Sequence, residues 1–91
     1  EVTVGESIVS SILMYTTRQC PSCLRAKRLL DEKNVTYTEL YVDENVDLLQ
    51  EMQLKTGKRT VPQILINENP IGGCDELYAL ERSGSLDKLL A

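Results

Sequence analysis

The 91-residue chain has no histidine, three cysteines, three prolines, five glycines and no long hydrophobic run. Each shortage excludes something. A structural zinc site usually needs four Cys or His ligands, which this composition serves poorly. Three cysteines also do not make the even, dense disulfide framework of small secreted domains. A reducing cytoplasm, with one reactive pair and a spare thiol at Cys74, is the simpler expectation. No segment is apolar over the roughly 20 residues that a membrane-spanning helix requires. Glu1 to Ser11 has neither the basic start nor the apolar middle of a signal peptide. With 42% hydrophobic and 26% charged residues, the composition is that of an ordinary globular protein. No repeat, linker or low-complexity stretch divides it. The expectation is one domain over 1–91, a monomer, with 1–11 as an N-terminal extension and 12–90 as the core.

The net charge of −4 speaks against a nucleic-acid partner, because phosphate binding needs a basic surface. The charge is unevenly spread. Arg18, Arg25, Lys27, Arg28 and Lys33 form one basic segment, and Lys55, Lys58 and Arg59 form another. Glu39, Asp43, Glu44, Asp47 and Glu51 lie between them. Two solvated helix faces of opposite sign would explain this. So would two basic segments meeting around Cys20 to receive an anionic substrate.

What the chain does have is Cys20-Pro21-Ser22-Cys23 between an apolar run and a helical pattern. Two thiols at this spacing can close a disulfide with little chain movement. A helix N-terminus beneath them favours thiolate over thiol, and the thiolate is the species that attacks a disulfide. A bare C-x-x-C could also be half of a metal site or a structural pair, but its strand-to-helix placement favours redox chemistry. Position assigns the roles. Cys20 at the helix mouth is the nucleophile, and Cys23 one turn in is the resolving thiol. Arg18 adds a nearby cation.

Ile12 to Thr16 reads as a buried strand. Pro21 suits the first turn of a helix that buries Ala26, Leu29 and Leu30 and ends near Asn34. Thr36 to Val42 reads as a second strand. A second helix starts near Asp43 to Asn45, turns Val46, Leu49, Met52 and Leu54 inward, and stops at Gly57. Pro62 to Ile66 and Pro70 to Gly72 read as strands joined by a tight Asn67-Glu68-Asn69 turn. Two helices follow; the first turns Leu77, Leu80 and Tyr78 inward, and the last, which Ser85 can cap, carries Leu86, Leu89 and Leu90. The order is β-α-β-α-β-β-α-α. The two β-α-β steps predict parallel leading strands, and the tight turn predicts an antiparallel hairpin.

Two further segments bear on chemistry. In Thr60-Val61-Pro62, a proline opening a strand favours an ordinary trans edge position on residues alone, since about 5–6% of X–Pro bonds are cis. A cis bond would instead present the Val61 main chain to an extended peptide. In Gly72-Gly73-Cys74-Asp75-Glu76, the glycines suit a tight turn and Asp75 suits a cap. The same free N–H groups and carboxylate could hold an amino-acid zwitterion. Cys74 reads best as a small core filler.

Together, Tyr15 to Cys23, Thr60-Val61-Pro62 and Gly72 to Leu77 resemble the dithiol glutaredoxins, in order and spacing, across residues 12 to 90. The resemblance implies a thioredoxin-like α/β fold, a four-stranded mixed sheet flanked by helices, with Pro62 cis. It implies glutathione as reducing co-substrate, with protein disulfides and glutathionylated proteins as targets; composition adds the expectation of no metal and no membrane partner. Carried onto this chain, Cys20 becomes glutathionylated, and Cys23 or a second glutathione resolves it. Val61 pairs with the cysteinyl unit, with Thr60 and Pro62 in the same groove. Gly73, Cys74 and Asp75 hold the γ-glutamyl end, and Arg18 takes the glycyl carboxylate. A potential of roughly −200 to −230 mV would let electrons move either way against the glutathione pool. Three positions depart from the pattern. Thr17 stands where the family usually has lysine, and Ser22 where it usually has tyrosine. Leu49 falls where Gln or Arg is expected, leaving Gln50 and Arg59 as substitutes. Two alternatives accompany this reading: reduction by thioredoxin reductase, and a glutathione-ligated [2Fe–2S] carrier, against which Pro21 and Cys23 argue.

Overall fold

The computed structural model describes residues 11–90, so all of the predicted N-terminal extension except Ser11 lies outside the described residues. Eight elements follow in the expected order. They are β1 (Ile12–Thr16), α1 (Pro21–Glu32), β2 (Thr38–Tyr41), α2 (Val46–Thr56), β3 (Gln63–Ile66), β4 (Asn69–Gly72), α3 (Cys74–Ser83) and α4 (Ser85–Leu90). The strands form one mixed sheet in the order β2-β1-β3-β4, with helices against it.

Local chemistry sets the boundaries. Pro21 occupies the first turn of α1, where its missing N–H costs no helical bond. Asn34, with φ 58°, turns the chain left-handed just past the α1 terminus. Asn45 caps α2 by accepting the Asp47 N–H at 2.9 Å. Asn67 and Glu68 have φ of 52° and 68°, the left-handed pair that a two-residue hairpin turn uses to match strand twist. Asn67 is pinned further, since its Oδ1 accepts the Ser11 N–H at 2.9 Å.

Period-two alternation divides the core between the two faces of the sheet. Ile12, Met14, Ile64 and Ile66 pack with Ala26, Leu29 and Leu30 of α1, Leu77 of α3 and Leu86 of α4. Tyr15 and Leu65 face the other way, toward Val42 and Met52. Both faces being covered explains why β1 and β3 read as continuous apolar runs. Lys33 ties three helices together, reaching Glu81 at 2.6 Å and Asp87 at 2.8 Å.

Two expectations need correction. On α2 only Met52 is buried, while Val46 is 64% and Leu54 87% exposed. The helix meets the core along a narrow stripe in which Leu48 and Leu49 flank Met52, one turn apart. The second correction concerns strand direction. β2 runs parallel to β1 as expected, but β3 runs antiparallel to it, with Tyr15 opposite Gln63. The chain leaves β2 beside Thr16, runs out along α2, and returns through residues 57–62 to the same end of the sheet. This connection passes β1 to reach its other side but delivers β3 to the end of the sheet that β2 left, so β3 runs antiparallel.

Candidate active site

That out-and-back path brings three segments to one end of the sheet. β1 ends there at Thr16 and leads to Cys20. β3 begins there after Val61-Pro62, and β4 ends there at Gly72, opposite Ile64. Cys20 is the N-cap of α1, with extended backbone at φ −146° and ψ 100°. Its Sγ accepts the Cys23 N–H at 3.1 Å. Cys20 and Cys23 are joined as a disulfide with Cα atoms 5.2 Å apart. Cys20 is half-buried beside the exposed Pro21 and Ser22, whereas Cys23 is 1% exposed. Once reduced, the two sulfurs therefore differ. A helix N-terminus and an aimed N–H favour the Cys20 thiolate. Burial disfavours charge on Cys23.

Beside the disulfide lies a cleft of about 240 Å³, to which Ser22 contributes from α1. One wall is Thr60, Val61 and Pro62, and the facing wall is Gly73, Cys74 and Asp75. The Val61–Pro62 bond is cis, against the trans reading favoured by residues alone. The walls approach closely. A Cβ on Gly73 would stand 3.0 Å from the Pro62 carbonyl oxygen, tighter than ordinary contact. At the start of α3, Glu76 Oε1 accepts the Gly73 N–H at 2.9 Å. The Glu76 carboxylate also accepts its own N–H, and these two bonds hold it below the usual carboxylate range. Within the first turn, the N–H groups of Cys74 and Asp75 are left without an intrahelical acceptor.

The glutaredoxin family model matches residues 12–71 of this chain. The chain belongs to the glutaredoxin family. It is 50% identical over 80 residues to a glutaredoxin of Pseudomonas aeruginosa, covering 88% of this chain and 95% of that one. Among solved structures it resembles the dithiolic glutaredoxin 2-C-Grx1 of Trypanosoma brucei brucei. That match has a TM-score of 0.81 at 36% identity and covers 97% of this chain and 95% of the other. A buckwheat glutaredoxin–glutathione complex matches with a TM-score of 0.81 at 27% identity, covering 98% and 84% of the two chains. As a glutaredoxin, the chain has the thioredoxin-like fold and is a thiol oxidoreductase whose redox-active pair is Cys20 and Cys23.

Within this glutaredoxin, Thr60, Val61, Pro62, Gly73, Cys74 and Asp75 converge on one cleft. Arg18 does not line it. Its guanidinium bonds Glu44 and lies 5.0 Å from the centre of the Tyr41 ring, and the Arg18 backbone N–H donates to Asp43 Oδ2 at 3.3 Å. Lys27 is likewise engaged, 2.9 Å from Glu39. Acidic residues in β2 and just after it thus neutralise Arg18, in the loop before α1, and Lys27, on α1. Cys74 is buried, and burial is the main cause that raises its thiol pKa.

Lys58 and Gln63 also line the cleft, as do Gly72 and Glu76 from the ends of the glycine segment, beyond the candidate ligand-binding residues. Lys58 had a signal, being part of the basic run before Thr60. Glu76 had one too, three residues after Gly73, the spacing at which a side chain reaches back to a helix N-cap. Gln63 had none. Its side chain donates to Thr60 Oγ1 at 3.3 Å, a contact set by the turn between them.

Proposed function

We propose that this glutaredoxin is a glutathione-dependent oxidoreductase that reduces glutathione mixed disulfides and protein disulfides, with Cys20 as nucleophile. The observation that carries the reading is Cys20 Sγ at the α1 N-cap, receiving the Cys23 N–H at 3.1 Å. The Cys20 thiolate attacks the glutathione sulfur of a mixed disulfide. The S–S bond breaks, the target thiolate leaves and takes a proton, and Cys20 becomes glutathionylated. A second glutathione thiolate then attacks the bound glutathione sulfur, releasing glutathione disulfide and the Cys20 thiolate. Alternatively, the Cys23 thiolate attacks Cys20 and expels glutathione, giving the Cys20–Cys23 disulfide. Two electrons reach the target in either case. A protein disulfide follows the Cys23 route, and two glutathiones regenerate the dithiol.

The cleft supports glutathione as the ligand. Val61 at its wall can pair through its main chain with the cysteinyl unit, between Thr60 and Pro62. The Cys74 and Asp75 N–H groups can receive the γ-glutamyl carboxylate, and the Asp75 carboxylate its ammonium, with Gly73 leaving room. The buckwheat relative was solved with glutathione, which agrees with this reading. Arg18 can reach the glycyl carboxylate only by leaving Glu44.

The test is an asymmetry. Cys20→Ser abolishes reduction of a glutathione mixed disulfide, while Cys23→Ser retains much of it, because glutathione resolves the intermediate. Equal losses in the two variants would refute the roles. Turnover with thioredoxin reductase but none with glutathione would refute the donor.

A further inference from the structure

An extended tripeptide with two carboxylates needs complementary groups at both ends, and Lys58 stands at one of them. It lines the cleft with Thr60, Val61 and Asp75. Its backbone is held in place, since its N–H donates to Thr56 Oγ1 at 3.0 Å and that hydroxyl donates to the Met52 carbonyl at 2.7 Å. The last turn of α2 therefore fixes where Lys58 leaves the chain, whatever side chain it carries. Its charge reaches Glu76 of α3 and contributes, after the backbone N–H groups, to holding that carboxylate ionised. Among the described residues, Lys58 forms no ion pair, whereas Arg18, Lys27 and Lys33 are all paired.

We infer that Lys58 is the cation that meets the α-carboxylate of the γ-glutamyl group, beside the N–H groups of Cys74 and Asp75. The inference rests on glutathione being the ligand, as proposed above. The end of the ligand follows from position. Lys58 lies within electrostatic reach of the first turn of α3, which also carries Asp75, the acceptor for the ammonium of the same zwitterion. The glycyl carboxylate belongs to the opposite end of the extended peptide. Lys58 thus supplies, from the loop after α2, a cation at a groove whose family lysine position is Thr17.

The test uses the whole chain and three mixed disulfides of 2-mercaptoethanol. Their second thiols are glutathione, its glycyl monoethyl ester, and 4-aminobutanoyl-Cys-Gly, which lacks the γ-glutamyl α-carboxylate. With glutathione as reductant throughout, Lys58→Gln is expected to raise KM about fivefold for the first two, the scale of one partly exposed ion pair. It leaves kcat unchanged and leaves KM for the third substrate unchanged, and Lys58→Arg restores the wild-type values. Equal KM values for wild type and Lys58→Gln would overturn the inference alone. So would an effect that disappears with the ester but persists with the 4-aminobutanoyl compound, since that places Lys58 at the glycyl end. If the wild type turns over none of the three, the glutathione reading falls, and this inference with it.

Discussion

Replacing Gly72 by alanine tests how the α3 wall of the cleft is built. Gly72 has φ +109°, and an added Cβ would stand 2.7 Å from Glu76 Cγ and 2.9 Å from Glu76 Cβ. Two costs follow. A side chain in this backbone region costs about 1–3 kcal/mol. Pushing Glu76 aside also releases the Gly73 N–H that it accepts at 2.9 Å. Losing such a cap costs about 0.5–2 kcal/mol. A total near 3 kcal/mol is a large part of a stability of about 5–15 kcal/mol. With m of about 1.5 kcal/mol/M, the urea midpoint of the oxidised protein falls by about 2 M. The clash is with one side chain, so a double-mutant cycle isolates it. Glu76→Ala alone costs about 1 kcal/mol. In that background Gly72→Ala keeps the backbone cost and the 2.9 Å contact with the Cβ of residue 76, but the Cγ contact and the cap are already gone, giving a coupling of about 1 kcal/mol. A Gly72→Ala cost below about 0.5 kcal/mol, or no coupling to Glu76→Ala, would refute the reasoning.

Two further perturbations probe the buried polar contacts. Tyr15 is fully buried, and its hydroxyl donates to Glu51 Oε2 at 2.5 Å, with burial first and Glu51 second raising the phenol pKa. Tyr15→Phe is expected to cost about 1–2 kcal/mol at neutral pH, the worth of a hydrogen bond to a charged acceptor, read by urea unfolding. A raised folded pKa means stability present below the unfolded phenol value and lost as pH rises beyond about 10, so the variant should lose less there than wild type. Identical alkaline slopes would contradict this. Glu39 accepts from the Tyr41 hydroxyl at 2.7 Å and pairs with Lys27, and these two bonds depress its pKa. Its contribution is present above the unfolded carboxylate value of about 4.3 and is lost as pH falls below it. Glu39→Gln should therefore flatten the acid side of a pH–stability curve, and an unchanged acid slope would count against the network.

The elements that were readable from sequence are those whose signal is local. The α1 start rests on Pro21, the hairpin turn on Asn67-Glu68, and the burial of β1 and β3 on uninterrupted apolar residues. The buried stripe of α2 is not legible in the same way, because its period places Val46 and Leu54 beside the apolar stripe, while burial depends on which neighbours arrive. Only contact with Tyr15, Val42 and Leu65 selects Met52. The direction of β3 is likewise invisible locally. A helix between two strands can deliver the second strand to either end of the sheet, and the choice depends on where residues 57–62 return.

That choice decides whether the chain has a site at all. Had β3 run parallel to β1, Val61-Pro62 would lie at the end of the sheet away from Cys20. The pairing of Tyr15 with Gln63 instead puts Pro62 beside the strand end that feeds Cys20. The hairpin then brings Gly72 and Gly73 back to the same end, opposite Ile64. The same path explains the charges. The acidic residues at the end of β2 emerge next to the β1–α1 loop and draw Arg18 to Glu44 and Asp43. Lys58, on the returning loop after α2, emerges instead at the cleft wall. Sequence proximity to Cys20 favoured Arg18, but the cation beside the cleft comes from 38 positions further along the chain.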